Sequence, residues 1–395
     1  MWGQRQDLIA FGVIGAVIGG TMMCAHPIPA THPAVAAPIP VVALPVSNPP
    51  PELGNLDDDI GAVLVASWRG TQITPALRSL LGDGRVGGVL LFASNFSDQA
   101  GLKALTDNLR ALSASACLDH PILVMLDQEG GQVARVQASF APPSELVTGA
   151  GGAQHVRDLE RASALGIRQL GVGLNLAPVA DVRTNPRDQV IGDRSFGSNA
   201  TVVSPLVAAA VQGLHDGGVG ATLKHFPGLG GAAGDPHIAI PTDPISEAQW
   251  ERVQMPAFQA GISAGADAVM TTAVYVPSLG GGGTPAMFSA PVVDRLRTQL
   301  GFGGVIITDS LSMRGVGALY SLPEATVLAL AAGNDLVLLG NGDPAHEAEA
   351  MAAVRAGVLS GRLDRARLHQ SAMRVNHLRD TWGRRFVHCR PVKFP

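Results

Sequence analysis

From residue 60 onward, short runs of unbroken apolar residues alternate with longer stretches whose apolar positions recur at helical spacing. The runs occupy residues 60–66, 86–93, 122–126, 173–179, 219–223, 268–272, 304–308 and 335–339. None shows the polar alternation of a half-exposed strand, so each reads as a parallel strand buried on both faces. Helical stretches over 98–113, 156–170, 202–214, 247–264, 290–300 and 324–332 fall between them. Eight strand–helix alternations predict an α/β chain folded as a (β/α)8 TIM-type barrel, one domain over residues 54–383. A doubly wound open sheet is the competing arrangement.

Most of these runs end in polar or small residues, and in such a barrel the C-terminal strand ends form the rim where sites are built. The tips deliver Asp127-Gln128-Glu129 after the third strand and Asp181 after the fourth. Lys224-His225 follow the fifth, Thr272 the sixth and Asp309 the seventh. A charge at a strand tip costs desolvation unless it has a partner or a task. One such residue is a loop cap; several from separate stretches of chain point to a site.

Asp309 closes the segment GVIITD, which aims a carboxylate rigidly at the barrel mouth, as a nucleophile or base requires. The stretch after the fifth strand differs in character. KHFPG runs into Leu-Gly-Gly-Ala-Ala-Gly and then Asp235-Pro236-His237, with little between Gly228 and Gly234 to lock a conformation. That loop is expected to move. An aspartate two residues before a histidine can orient the imidazole and keep it protonatable. A mobile acid/base facing a fixed carboxylate suits displacement at a sugar carbon.

Composition narrows the field further. The chain has 28 basic and 32 acidic residues, a net charge of −4, which argues against nucleic acid as the main partner. A 46% hydrophobic share with 15% charged residues is that of a folded chain. Three cysteines make neither a disulfide scaffold nor a zinc ribbon. No H-E-x-x-H or paired-Cys spacing occurs, so no metal and no cofactor are expected. The glycine run 280–283 lacks the Lys-Ser/Thr of a phosphate loop. Trp68, Trp250 and Trp382 are scattered along the chain, which does not indicate an aromatic platform for a polysaccharide.

The ends of the chain carry a separate message. Residues 8–23 (LIAFGVIGAVIGGTMM) are uncharged and follow Arg5, so residues 1–25 read as a signal peptide or short membrane anchor. Cys24 is a weak candidate for lipid attachment. Residues 26–53, rich in proline and alanine, read as an extended linker, and 384–395 as a C-terminal tail. The chain is therefore expected to be exported, secreted or membrane-anchored, and monomeric. In an oxidising compartment Cys117 and Cys389 could pair and pin the tail.

The motifs DQEGGQVAR (127–135), NLAPVADV (175–182), IGDRSFG (191–197), KHFPG with a downstream D-x-H, and GVIITDSLSM (304–313) occur in this order. In this combination the chain resembles the family 3 glycoside hydrolases, in particular their bacterial β-N-acetylglucosaminidase (β-hexosaminidase) branch. The likeness runs from about residue 57 to 380, and KHFPG with D-x-H is specific to that branch. The β-glucosidase branch takes its acid/base from a second α/β domain, for which this chain has no room.

The resemblance implies Asp309 as nucleophile, His237 as acid/base and Asp235 as its dyad partner. It implies Asp127, Arg135, Arg194, Lys224 and His225 as the residues that hold the non-reducing-end N-acetylglucosamine. Charge-assisted hydrogen bonds from such a set suit sugar hydroxyls. A retaining exo-hydrolase of terminal N-acetylglucosaminides, acting on cell-wall muropeptides or related amino sugars, follows as the implied activity. Four positions depart from the family's pattern: Leu229 replaces a second histidine, Pro236 stands inside D-x-H, Ala273 replaces a histidine after the sixth strand, and Ser310 replaces a second aspartate. Two other readings stay open on the same barrel: a β-glucosidase or glycoside phosphorylase, and a non-catalytic amino-sugar-binding protein.

Overall fold

The computed structural model describes residues 53–383, apart from 189, 341 and 343. The expected leader, Cys24, nearly all of the proline-rich linker, the tail and Cys389 lie outside the described residues. Among the described residues there are ten strands: β1 (Leu64–Ala66), β2 (Gly88–Leu90), β3 (Leu123–Leu126), β4 (Gln128–Gly130), β5 (Val133–Ala134), β6 (Leu174–Asn175), β7 (Gly220–Phe226), β8 (Ala268–Thr271), β9 (Val305–Thr308) and β10 (Val337–Leu338). Eight of them form one parallel sheet in the order β10-β1-β2-β3-β6-β7-β8-β9. Its two ends meet: Thr308 N–H donates to the Leu336 carbonyl at 3.0 Å, and Leu338 N–H donates to Thr308 Oγ1 at 3.0 Å. The sheet is therefore a closed barrel, and the molecule has the (β/α)8 TIM-type fold.

Side-chain alternation explains why unbroken apolar runs were needed. Leu123 and Met125 of β3 join Val65, Leu90, Met270 and Ile307 in the barrel interior. Val124 and Leu126, pointing the other way, pack with Leu102, Leu109 and Ile167 of the surrounding helices. Both faces of the strand are buried, so neither tolerates a polar residue. The C-terminal helix Arg365–Trp382 adds Val375 and Leu378 to the interior cluster. Its Arg379 Nε–H donates to the Pro121 carbonyl and its Trp382 Nε1–H to Asp267, residues that precede β3 and β8. This helix stoppers the N-terminal end and leaves the C-terminal rim open.

Two expectations need correction. The first apolar run does not start a strand at residue 60, because Leu56–Ala62 is a helix. Asn55 caps it by accepting the Asp57 N–H at 2.9 Å, and Asp57, Asp58 and Asp59 sit in its first turn, where the helix dipole favours acids. The stretch 247–264 is two helices, Glu247–Val253 and Met255–Ser263, because Pro256 cannot supply an N–H to a continuous helix. At the break, buried Gln254 grips Val182 through both its N–H and its carbonyl, each at 2.9 Å, and so fixes the segment after β6.

Candidate active site

Every polar tip anticipated at the rim stands at the C-terminal end of its strand. Asp127 follows β3, Asp181 follows β6, Lys224 and His225 lie in the last turn of β7, Thr272 follows β8 and Asp309 follows β9. The segment after β3 turns back on itself as the antiparallel pair β4–β5, with Gln128 opposite Ala134. Gly130 and Gly131 carry φ of 108° and 52° at that turn, where side chains other than glycine's are strained. The hairpin brings Arg135 back beside Asp127, with Arg135 Nη2 donating to Asp127 Oδ2 at 3.0 Å.

From Asp127 a chain of buried charge runs across the barrel mouth. Lys224 Nζ donates to Asp127 Oδ1 at 2.8 Å and to Glu129 Oε1 at 2.5 Å. Arg194 meets Glu129 with two bonds, Nε to Oε2 at 2.7 Å and Nη2 to Oε1 at 2.8 Å. The same Nη2 lies 3.3 Å from His225 Nε2, and His225 Nδ1 lies 2.7 Å from Asp181 Oδ2. A guanidinium can only donate, so His225 Nε2 accepts and the ring proton sits on Nδ1, directed at Asp181. Asp181 Oδ1 also accepts the Leu229 N–H at 2.6 Å.

Burial makes this lattice stringent. Lys224 is 2% exposed, Glu129 1% and Asp181 fully buried. Burial alone would raise the Asp127 and Glu129 carboxyls; Lys224 with Arg135 outweighs it and holds Asp127 well below the ordinary range, and Lys224 with Arg194 holds Glu129 below it. Lys224 and Arg194 are pushed up in turn, against the effect of burial, by the same carboxylates. Three cations face three carboxylates. Charges held this way need no reorganisation when a polar ligand arrives.

Asp309 is fixed by two donors, Thr272 Oγ1–H to Oδ2 at 2.8 Å and Ser310 N–H to Oδ1 at 2.7 Å, with a lone pair left on each oxygen. The expected Asp235–His237 pair forms as well. Asp235 Oδ1 accepts the His237 N–H at 2.8 Å and lies 2.8 Å from His237 Nδ1, which leaves Nε2 free. The imidazole is 65% exposed. Its loop rests on the segment that follows Asp309: a Cβ at Gly315 would stand 2.6 Å from the Pro236 carbonyl and 2.9 Å from Ile240 N. The two candidate reacting groups thus share one rim.

The loop is not loose along its whole glycine-rich length, as the sequence led us to expect. Leu229 is buried in the core and bonded to Asp181, and Asn185 holds the carbonyls of Gly230 and Ala232, both at 3.0 Å. Among the described residues no group of three or more metal-ligating side chains occurs.

Comparison with known proteins gives the family of the chain. A sequence model described as the Glycosyl hydrolase family 3 N terminal domain matches residues 55–378. The chain belongs to glycosyl hydrolase family 3. It is 35% identical over 311 residues to a β-hexosaminidase of Methylobacillus flagellatus, covering 76% of this chain and 86% of that one. The same identity holds over 299 residues with a β-hexosaminidase of Stenotrophomonas maltophilia, covering 72% and 85%. Among solved structures, a glycoside hydrolase family 3 β-N-acetylglucosaminidase from Paenibacillus sp. superposes with a TM-score of 0.79 at 32% identity, covering 86% of this chain and 65% of that one. A β-N-acetylhexosaminidase from Beutenbergia cavernae gives 0.75 at 30%, covering 82% and 98%. The molecule is a family 3 glycoside hydrolase of the β-hexosaminidase type.

Within the family frame, two lattice members had drawn no role from sequence reading. Glu129 and Asp181 were visible as polar tips, but nothing local says that Glu129 faces an arginine 65 positions away or that Asp181 holds a histidine and a backbone amide. Thr272, which orients Asp309, was likewise legible only as a tip.

Proposed function

We propose that the protein is a retaining exo-β-N-acetylglucosaminidase that removes a terminal non-reducing N-acetylglucosamine, with Asp309 as nucleophile and His237 as acid/base. The observation that carries this reading is the meeting, on one rim, of a doubly oriented carboxylate and a carboxylate-paired, solvent-facing imidazole. Asp309 attacks C1 from the lone pair left on one oxygen while protonated His237 gives its Nε2 proton to the departing glycosidic oxygen. The glycosyl–Asp309 ester is then opened by water, which neutral His237 deprotonates as the bond to Asp309 breaks. Asp235 keeps the imidazole's Nδ1 proton in place through both halves.

Asp127, Arg135, Arg194, Lys224 and His225 are assigned to the sugar. Lys224 keeps one of three N–H groups free of the lattice, so it positions as much as it binds. Arg135, tied by a single bond and stacked 5.9 Å over the Phe92 ring, is the most open of the cations. The balanced charges of the lattice suit a neutral sugar. The uncharged N-terminal run supports an exported enzyme, and cell-wall amino sugars are the substrate class it would then meet.

Release of 4-nitrophenol from its N-acetyl-β-glucosaminide, with the first-formed anomer followed by NMR, tests the assignment. We expect the β-anomer first, no dependence on inorganic phosphate, and a loss of about 10³-fold or more in Asp309→Asn. An active Asp309→Asn enzyme would overturn the assigned nucleophile.

A further inference from the structure

The loop that bears His237 is hydrogen-bonded to the rest of the described molecule at its two ends, and between them it packs on Gly315 without such a bond. Downstream, Tyr275 N–H donates to the Pro241 carbonyl and the Tyr275 carbonyl accepts the Asp243 N–H, each at 2.9 Å. Upstream, beyond Leu229 with its bond to Asp181, one residue bonds the root twice. Asn185 N–H donates to the Gly230 carbonyl and Asn185 Nδ2–H to the Ala232 carbonyl, both at 3.0 Å. Among the described residues, the hydrogen bonds of residues 233–240 stay within that segment: Ile238 and Ala239 N–H reach the Asp235 carbonyl, and His237 N–H its carboxylate. The piece able to swing is thus short, and its starting direction is set at Ala232.

The other end of the same turn reaches the sugar-gripping lattice. Asp188 N–H donates to the Asn185 carbonyl at 3.1 Å, and the buried Asp188 carboxylate collects the N–H groups of Val190, Ile191 and Gly192 at 2.9, 3.2 and 3.1 Å. That fixes the Val190 carbonyl, which accepts Arg194 Nη1–H at 3.1 Å. One hydrogen-bonded turn, residues 185–188, therefore touches both the root of the acid/base loop and the mounting of Arg194.

From this we infer that Asn185 is a positioning residue for the general acid, setting where His237 lands relative to a sugar held by Arg194. The inference rests on His237 being the acid/base. The orientation of the Asn185 amide follows from its partners, because Oδ1 accepts the Arg187 N–H at 3.0 Å while Nδ2 donates to Ala232. Asn185→Asp keeps the acceptor and turns the donor into an oxygen facing a carbonyl, which pushes Ala232 away without altering side-chain volume.

Leaving-group dependence is the measurement that a general structural defect would not reproduce. An N-acetyl-β-glucosaminide of 2,4-dinitrophenol departs without protonation, whereas its 4-methoxyphenyl counterpart needs the acid. We expect kcat/KM of Asn185→Asp to fall about tenfold on the methoxyphenyl substrate and less than about twofold on the dinitrophenyl one. His237→Ala is run alongside, with a loss of about 10²-fold or more expected on the methoxyphenyl substrate alone. Equal losses on both substrates, or none, in Asn185→Asp while His237→Ala discriminates would overturn the role of Asn185 and leave the acid assignment standing. A His237→Ala enzyme that fails to discriminate would overturn the acid assignment itself. If the aspartate variant does not fold, Asn185→Ala deletes the Ala232 bond without introducing charge and is held to the same contrast between the two substrates.

Discussion

The two halves of the site are built on opposite principles. The lattice from Arg135 to Asp181 buries all its charges but that of half-open Arg135, sets each against an opposite charge except Asp181, which holds neutral His225, and draws its residues from the ends of β3, β6 and β7 and the segments that follow them. The Asp235–His237 pair is solvent-facing and local, two residues apart, on a segment with no hydrogen bond to the rest of the described molecule between its two pins. A binding surface that must distinguish hydroxyl positions gains from charges that cannot reorganise. An acid that must protonate and then deprotonate on one face gains from access to water and from movement. On the proposed assignment, buried paired charge serves recognition and an exposed, locally paired imidazole serves proton transfer.

Removing Lys224 should have the largest effect. Lys224→Met leaves Asp127 and Glu129 buried with a single arginine each, and loss of one partner from a buried set costs about 3–5 kcal/mol. We expect a lower Tm by scanning calorimetry and a loss of hydrolysis of about 10³-fold. Full activity with an unchanged Tm would show that the lattice is dispensable. The loop should respond differently. Gly315→Ala puts a Cβ where the Pro236 carbonyl now lies, displacing the loop and nothing in the lattice. A fall in kcat/KM of about tenfold is expected from such a shift, with N-acetylglucosamine affinity by calorimetry unchanged. A matching loss of affinity would mean that the two halves are not separable.

How much of this was legible in the sequence follows the same divide. The barrel could be read because its strands are apolar on both faces, a pattern few other elements produce. The start of β1 could not, because the run from Ile60 is continuous across a helix end and a strand, and only the Asn55 cap marks the boundary. The β4–β5 hairpin was hidden by its length and by polar residues that read as loop. The Asp235–His237 pair was legible because its partners are adjacent in sequence. Arg194 came through the family likeness alone, and Glu129, which joins it to Lys224, was seen only as a tip residue. Asn185 gave no signal at all, since a loop asparagine is ordinarily a turn residue. Long-range polar pairing leaves no periodicity for sequence reading to find.

The smallest effect separates the halves by pH. Asp127 and Glu129 have folded values below their ordinary 3.8 and 4.5, so the stability they contribute is fully present above those values and is lost as pH falls below them. Asp127 and Glu129 therefore stay ionised through the neutral range, and the affinity for N-acetylglucosamine that rests on them should be flat from about pH 5.5 to 8.5. On the proposed assignment each turnover moves a proton on and off His237, so kcat/KM is followed over the same span for comparison. Stability needs its own control, because Glu160, buried in the helix Gly152–Gln169, is raised by burial to about 8. Folding holds that carboxyl protonated, so its stabilisation is full below 4.5 and is lost as pH rises towards 8, ~3 kcal/mol by pH 7. Glu160→Gln should lessen the decline in Tm between about pH 5 and 8, of which Glu145, likewise raised by burial, keeps a share, while leaving the flat affinity profile untouched. An affinity that instead tracks the pH dependence of kcat/KM would place a titrating group inside the grip and erase the distinction between the two halves.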